Sequence, residues 1–223
     1  MPTVMVAGRW SGRRAMAGPL CNRVMPDGSI AADPARGLFT GNRGSLHDGT
    51  GRIVRGWTTR AWVTCRLVWK GRRRDPMPPG RWTALFFLDE AVALAAGHRP
   101  CGACRRGDYL AFRAAWAGAH GAAPLGHDDG LLHAARRAGP YGALADALPD
   151  GTFVMIGVQP HLVLGDSLRP FAPSGYGTPV PRPAGPVAVL TPAPTLAALA
   201  AGYRPVLHPS ARDTAAPAAG GRG

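Results

Sequence analysis

The cysteine pair in Cys101-Gly102-Ala103-Cys104 is the feature that most restricts how this chain can fold. Two cysteines spaced in this way on a turn present both thiolates to a single tetrahedral ion. Redox-active pairs of the same spacing usually open a helix directly after a strand, whereas this pair follows a predicted short helix and the turn Gly97-His98-Arg99-Pro100. Because a third cysteine, Cys65, lies on a predicted strand upstream, we interpret the three as ligands of a structural Zn²⁺ ion.

A tetrahedral zinc site needs a fourth ligand, and the sequence leaves three candidates open. His47 is the first choice, because its predicted hairpin precedes the Cys65 strand and a neutral imidazole is a good ligand. Cys21 comes next, since a thiolate is chemically preferred, and His98 is the nearest to the cysteine pair along the chain. The first two also have simpler interpretations, as a turn histidine and a free thiol.

Residues 81–106 resemble the metal-binding domain of the Ada-type DNA-repair methyltransferases and related small zinc modules appended to nucleases. The shared pattern is an aromatic strand, a short Ala-rich helix, Gly-aromatic-Arg/Lys-Pro and then Cys-x-x-Cys. The resemblance implies a zinc-binding module associated with DNA. A broader run, residues 36–104, is similar to uncharacterised bacterial proteins of similar length, and that likeness implies no function.

The chain departs from the Ada pattern at the earlier pair of ligands. That family places a second Cys or His four residues from the cysteine that Cys65 matches, and here those positions hold Ala61 and Trp69, which do not bind zinc. In Ada-type proteins a metal-bound cysteine accepts a methyl group from a phosphotriester. Because the ligand pair is incomplete, this activity does not carry over. His98 stands where the family has a packing aromatic residue.

Positive charge is concentrated in the first half of the chain. Residues 1–120 carry 19 Arg and Lys against 7 Asp and Glu, whereas residues 121–223 carry 7 against 6. A basic half attracts polyanions by counterion release, and DNA or RNA is the usual partner. The same arginine bias also arises from a GC-rich genome. The predicted phosphate contacts are Arg43, Arg72, Arg73, Arg74, Arg105 and Arg106, and the predicted base-stacking residues are Trp57, Trp62, Trp69 and Trp82.

Two further functions stay open at this point. The first is a hydrolase or nuclease in which Asn42, Arg43, His47 and Asp48 supply a general base and a phosphate clamp. These residue types are also common in hairpin turns, and a turn explains the same cluster equally simply. The second is a protein-interaction scaffold, which the nearly neutral second half would suit. No phosphate-binding loop, dinucleotide fingerprint or nucleophile elbow occurs in the sequence.

Local patterns predict an α+β fold, with a small zinc-stabilised module of β-hairpins and helices followed by a mixed, β-rich region. Turns at Pro26-Asp27-Gly28 and Asp48-Gly49 predict two hairpins. Asp89 is expected to cap a short helix, 90–96, that follows an apolar strand, 83–88. Further helices are predicted at 105–116, 131–138 and 195–201, and further strands at 62–69, 153–156, 161–164 and 187–190.

Composition divides the chain into five parts. These are a disordered extension (1–18), a basic zinc-binding module (19–118), a linker (119–130), a mixed α+β region (131–212) and a disordered tail (213–223). No apolar run reaches the roughly 18 residues that a membrane span requires, and no secretory signal is evident. We therefore expect a cytoplasmic protein with no membrane partner.

Overall fold

The computed structural model describes residues 18–73, 75–78, 80–122 and 126–212. Within these residues the chain forms four α-helices and many short strands, so the predicted α+β, β-rich class is confirmed. The predicted disordered extension, except Gly18, and the whole predicted tail (213–223) lie outside the described residues. No helix in the described part of the chain is long and apolar enough to cross a membrane.

Most elements are short, because glycine and proline interrupt the apolar runs. The helices are α1 (Glu90–Ala95), α2 (Arg106–His120), α3 (His127–Ala138) and α4 (Ala193–Ala200). The strands are β1 (Cys21–Val24), β2 (Ile30–Ala32), β3 (Phe39–Asn42), β4 (Val63–Arg66), β5 (Val68–Trp69), β6 (Arg72–Arg73), β7 (Leu85–Phe87), β8 (Arg99–Pro100), β9 (Tyr141–Leu144), β10 (Phe153–Ile156), β11 (Gln159–Leu164), β12 (Ser167–Ala172), β13 (Gly175–Tyr176), β14 (Val180–Pro181) and β15 (Pro186–Val189).

The first sheet has the strand order β2-β1-β7-β3-β4-β8. The pairs β1–β7 and β4–β8 are parallel, and the other neighbours are antiparallel. The predicted hairpin between β1 and β2 is present: Asp27 accepts a hydrogen bond from the Ser29 amide at 2.9 Å, and Gly28 has a φ of +85°, which favours glycine. The second predicted hairpin is reduced to one bridge, between His47 and Ile53.

Helix α1 forms where the sequence predicts it. The side chain of Asp89 caps its first turn by accepting a hydrogen bond from the Val92 amide at 3.0 Å. Gly97, with a φ of +81°, follows its last turn. All six residues of α1 are buried, so tertiary packing rather than helix propensity stabilises such a short helix.

The second sheet has the order β13-β12-β11-β10-β15-β9, with β14 also paired to β12, and its pairs are antiparallel. The predicted strands at 153–156 and 161–164 are β10 and β11, which form a hairpin. Helices α2, α3 and α4 contribute to one apolar cluster with Phe112, Trp116, Leu132 and Tyr203. Phe112 and Trp116 of α2 are both buried and form part of this core.

Residues from both sheets share one apolar core. The cluster around α1 contains Leu85 and Phe87 of the first sheet together with Phe153 and Leu162 of the second. The two regions that the sequence separates at 119–130 are therefore packed against each other through α1. The division into modules stays a prediction about the chain, and its linker falls where α2 ends and α3 begins.

Candidate metal centre

Three cysteine side chains meet near the β8 edge of the first sheet. The sulfur atoms of Cys65, Cys101 and Cys104 all lie within 4.8 Å of one another. In a tetrahedral zinc–thiolate site, bonds of about 2.3 Å place the sulfurs about 3.8 Å apart, which is compatible with this upper limit. The convergence that the sequence predicts is present, and the three thiols could hold a metal ion.

The pairing of β4 with β8 explains why the sulfurs converge. Cys65 lies on β4, and Cys101 follows β8, which runs parallel to β4. The Cys101 amide donates to the Thr64 carbonyl at 2.9 Å. Cys104 lies on the following turn, which the Arg105 amide closes by donating to the Cys101 carbonyl at 3.0 Å. These backbone hydrogen bonds therefore bring Cys101 and Cys104 close to Cys65.

The thiols of the cluster differ in acidity. The hydrogen bond from the Cys65 thiol lowers the pKa of Cys101 to about 4, against the opposing effect of burial, and the amides of Cys104 and Ala103 also donate to the Cys101 sulfur. The same hydrogen bond, followed by burial, raises the pKa of Cys65. One thiolate is thus stabilised by its neighbours, and ligation of a metal ion by all three sulfurs would release protons.

His47, the first candidate for a fourth ligand, has other partners. Its Nδ1 lies 2.6 Å from the Thr83 hydroxyl oxygen, and its Nε2 lies 3.3 Å from the Pro78 carbonyl oxygen. Among the described residues, the group of close metal-ligating atoms contains the three cysteines and no histidine. To reach an ion held by the cysteines, the His47 ring would have to leave both partners.

The other two candidates are also engaged elsewhere. The Cys21 thiol donates to the Ile30 carbonyl at 3.6 Å. His98 is fully buried, and its ring packs against Phe87 and Trp62 with centroids 4.7 and 5.2 Å apart. Burial, followed by two nearby arginines, lowers the pKa of His98 well below its usual value, so the ring is neutral. His98 occupies the place of a packing ring in this fold.

A basic hairpin continues directly from the strand that supplies Cys65. Strands β5 and β6 pair through Val68 with Arg73 and Trp69 with Arg72, and every residue from 66 to 73 is exposed. The turn residues Lys70 and Gly71 have φ values of +51° and +72°, as in a two-residue hairpin turn. Two of the predicted phosphate contacts, Arg72 and Arg73, therefore lie on an accessible two-stranded ribbon.

The remaining predicted phosphate contacts have different surroundings. Arg106 is exposed. Arg105 is only 1% exposed and forms ion pairs of 2.9 Å with Glu90 and Asp108, so it stabilises the interior and is not accessible to a phosphate. Arg43 is 3% exposed and is equally inaccessible from the surface. Arg74 lies outside the described residues.

The four residues of the alternative catalytic cluster have separate partners. The Asn42 side chain accepts from the Gly44 amide at 3.4 Å, and Asp48 accepts from the Thr50 amide at 2.9 Å. His47 contacts Thr83, as described above, and Arg43 lies in the interior. These bonds are those of turns and packing, and they give no support to a shared catalytic arrangement.

Sequence reasoning missed a buried polar network at the start of α1. Glu90 accepts hydrogen bonds from the Tyr203 hydroxyl at 2.6 Å and the Val206 amide at 2.9 Å, besides its ion pair with Arg105. The Asp89 carboxylate accepts from the Tyr176 hydroxyl at 2.8 Å. The available signal was an Asp-Glu pair inside an otherwise apolar run. The network joins Tyr176, Tyr203 and Val206 to the first turn of α1.

No protein-family model, curated protein or solved structure matches this chain. The fold and the site together define an α+β chain with a three-cysteine candidate metal centre. The likeness to the Ada-type module stays an expectation from the sequence.

Proposed function

We propose that this chain is a zinc-stabilised, basic protein that associates with nucleic acid. The observation that carries the proposal is the continuity between the cysteine cluster and the exposed basic hairpin. Cys65 lies on β4, and the chain passes from β4 into β5 and β6 within a few residues. An ion held by the cysteines would therefore fix the base of the hairpin that presents the cations.

Zinc is the metal that suits the donor set best. Thiolate ligands select zinc over hard cations such as magnesium or calcium, which prefer oxygen. Cys65 and Cys104 are buried, as is usual for an ion that supports a fold. The fourth position would be filled by solvent, or by His47 once its ring leaves Thr83 and Pro78.

The hairpin has the composition of a surface that contacts nucleic acid. Val68 and Trp69 are 43% and 37% exposed, beside Lys70, Arg72 and Arg73. The Lys70 ammonium lies 4.8 Å from the centre of the Trp69 ring. A two-stranded ribbon fits the major groove of a duplex, its cations can contact phosphates, and an exposed tryptophan can stack on a base.

The direct test is binding of the zinc-loaded protein to a short labelled DNA duplex, followed by fluorescence anisotropy. Binding is expected at about 50 mM salt and should weaken steeply towards about 200 mM. A single-stranded RNA of equal length shows which form of nucleic acid is preferred. Absence of binding to both probes at the lower salt concentration would contradict the proposal.

A further inference from the structure

Two arginines pack on one tryptophan away from the cysteine cluster. The guanidinium carbons of Arg43 and Arg136 lie 4.1 and 4.2 Å from the centre of the Trp62 ring. Arg43 is 3% exposed, and Arg136 is partly buried. Because a guanidinium keeps its proton in proteins, two positive charges are held close together with little access to water.

Neither arginine belongs to an ion pair among the described residues. Arg43 donates from Nε to the neutral His98 ring and from Nη1 to the Gly28 carbonyl at 2.9 Å. Its buried Nη2 has no hydrogen-bond partner in the part of the chain that the structure describes. Arg136 donates to the carbonyls of Gly97 and Arg60. All of these acceptors are uncharged.

The two carboxylates that act electrostatically on these arginines form no ion pair with them among the described residues. Asp129, whose charge raises the pKa of Arg136, is held in an ion pair of 2.7 Å with Arg99. Asp27, whose charge raises the pKa of Arg43, is exposed to solvent. Burial lowers the pKa of both buried guanidinium groups to about 9. Buried charge without a counter-ion is costly, so an anion at this place would be stabilised by both arginines.

A cleft of about 170 Å³ lies beside the two arginines. Arg136 and Trp62 line it directly, and so does Gly28, whose carbonyl binds Arg43. The Nη2 of Arg43 lies 3.9 Å from where a Cβ on Gly28 would stand, so this buried nitrogen is close to a residue of the lining. The rest of the lining is mostly apolar and includes Ala95, Ala96, Leu190 and Pro192.

We propose that this cleft binds the phosphate or carboxylate group of a small molecule. Arg136 would contact the oxyanion, Arg43 would stabilise it electrostatically from behind Gly28, and the apolar lining would receive a short hydrocarbon portion. A planar guanidinium group can donate two parallel hydrogen bonds to two oxygens of a carboxylate or a phosphate. The site differs from the cysteine centre and from the hairpin, so it does not depend on the proposed association with nucleic acid.

Thermal unfolding at constant ionic strength tests the proposal, with inorganic phosphate and isobutyrate as probes and chloride as the reference anion. Phosphate, isobutyrate or both should raise the midpoint saturably, as expected for a ligand that binds only the folded state. Arg136→Gln should weaken this binding by about tenfold or more, because it removes the contacting charge. Arg182→Gln is the matched control, since Arg182 also donates to backbone carbonyls but lies outside the cleft.

A second variant keeps the proposal testable if Arg136→Gln does not fold. Asp27 is exposed at the cleft and repels an anion there, and asparagine can still accept the hydrogen bond from the Ser29 amide. Asp27→Asn should therefore bind the effective probe several-fold more tightly. The proposal is overturned if neither probe stabilises the protein more than chloride, or if Asp27→Asn leaves the affinity unchanged or lower.

Discussion

Replacing Lys70, Arg72 and Arg73 by glutamine should reduce the salt dependence of DNA binding by an amount that can be worked out in advance. All three side chains are exposed on the hairpin, and none belongs to an ion pair among the described residues. Each phosphate contact on duplex DNA contributes about 0.9 to the slope of log Kobs against log salt concentration. Loss of three contacts should therefore reduce the magnitude of this negative slope by about 2.7.

The consequence is large enough to measure by fluorescence anisotropy. Between about 50 and 200 mM salt, the wild type should therefore lose affinity by a factor roughly 40 times larger than the factor by which the variant loses affinity. Because the substituted side chains are exposed and the hairpin is local, the unfolding midpoint should stay close to that of the wild type.

A charge-matched control separates the hairpin from the net charge of the protein. Arg137, Arg204 and Arg212 are exposed in the second half of the chain, and their replacement by glutamine removes the same three charges. This control should keep most of the wild-type slope. The hairpin is not the surface that contacts DNA if its variant retains the full slope, or if the control variant loses as much of the slope as the hairpin variant does.

Two other predictions concern buried charge. Glu90→Gln should lower the free energy of unfolding by about 3 kcal/mol, because Arg105 stays buried with Asp108 as its remaining carboxylate. Urea unfolding measures this loss. A loss no larger than that of Arg52→Gln, which removes an exposed ion pair, would contradict the prediction. Acidification from pH 6.5 to 5.5 should lower the free energy of unfolding of the wild type by about 1 kcal/mol more than that of His98→Gln. Burial lowers the pKa of His98 below its ordinary 6.5, so below that pH the unfolded chain binds a proton that the folded chain does not. Stability from the neutral ring is therefore present above about pH 6.5 and declines below it, and parallel pH profiles of the two proteins would contradict this assignment.

Local elements were predictable where single residues dictate backbone conformation. Asp89 caps α1 as expected, and Gly97 follows its end with a positive φ. The run Ala-Leu-Ala-Ala-Gly-aromatic-Arg-Pro occurs twice, and both copies end a helix in the same way: the His98 amide donates to Ala93 at 2.8 Å, and the Tyr203 amide donates to its counterpart at 3.1 Å. Such turns depend on a few neighbouring residues and can therefore be predicted from the sequence.

The cysteine site was predictable in part. The spacing of Cys101 and Cys104 implies a shared ion, and Cys65 was placed with them from its strand. The parallel pairing of β4 with β8 could not be predicted, because strand partners are chosen by packing over long sequence distances. The predicted fourth ligand, His47, was argued from nearness along the chain, and its side chain bonds instead to Thr83.

Charge counting could not separate surface arginines from interior ones. Arg72 and Arg105 look alike in sequence, yet the first is exposed on the hairpin and the second is buried against Glu90. The difference arises from tertiary packing, since the shared core around α1 encloses residues from both halves of the chain. Burial of Arg43 behind Trp62 has the same origin.

Metal analysis of the purified protein tests whether the three cysteines hold a structural zinc ion. We expect one zinc ion per chain in the wild type and in Cys21→Ser, whose thiol lies outside the cluster. Cys101→Ser should lose the zinc and unfold, because a structural ion contributes its binding energy to folding. A wild-type protein without stoichiometric metal, or a Cys101→Ser variant that retains a full equivalent of zinc, would contradict the assignment of a structural zinc site to these cysteines.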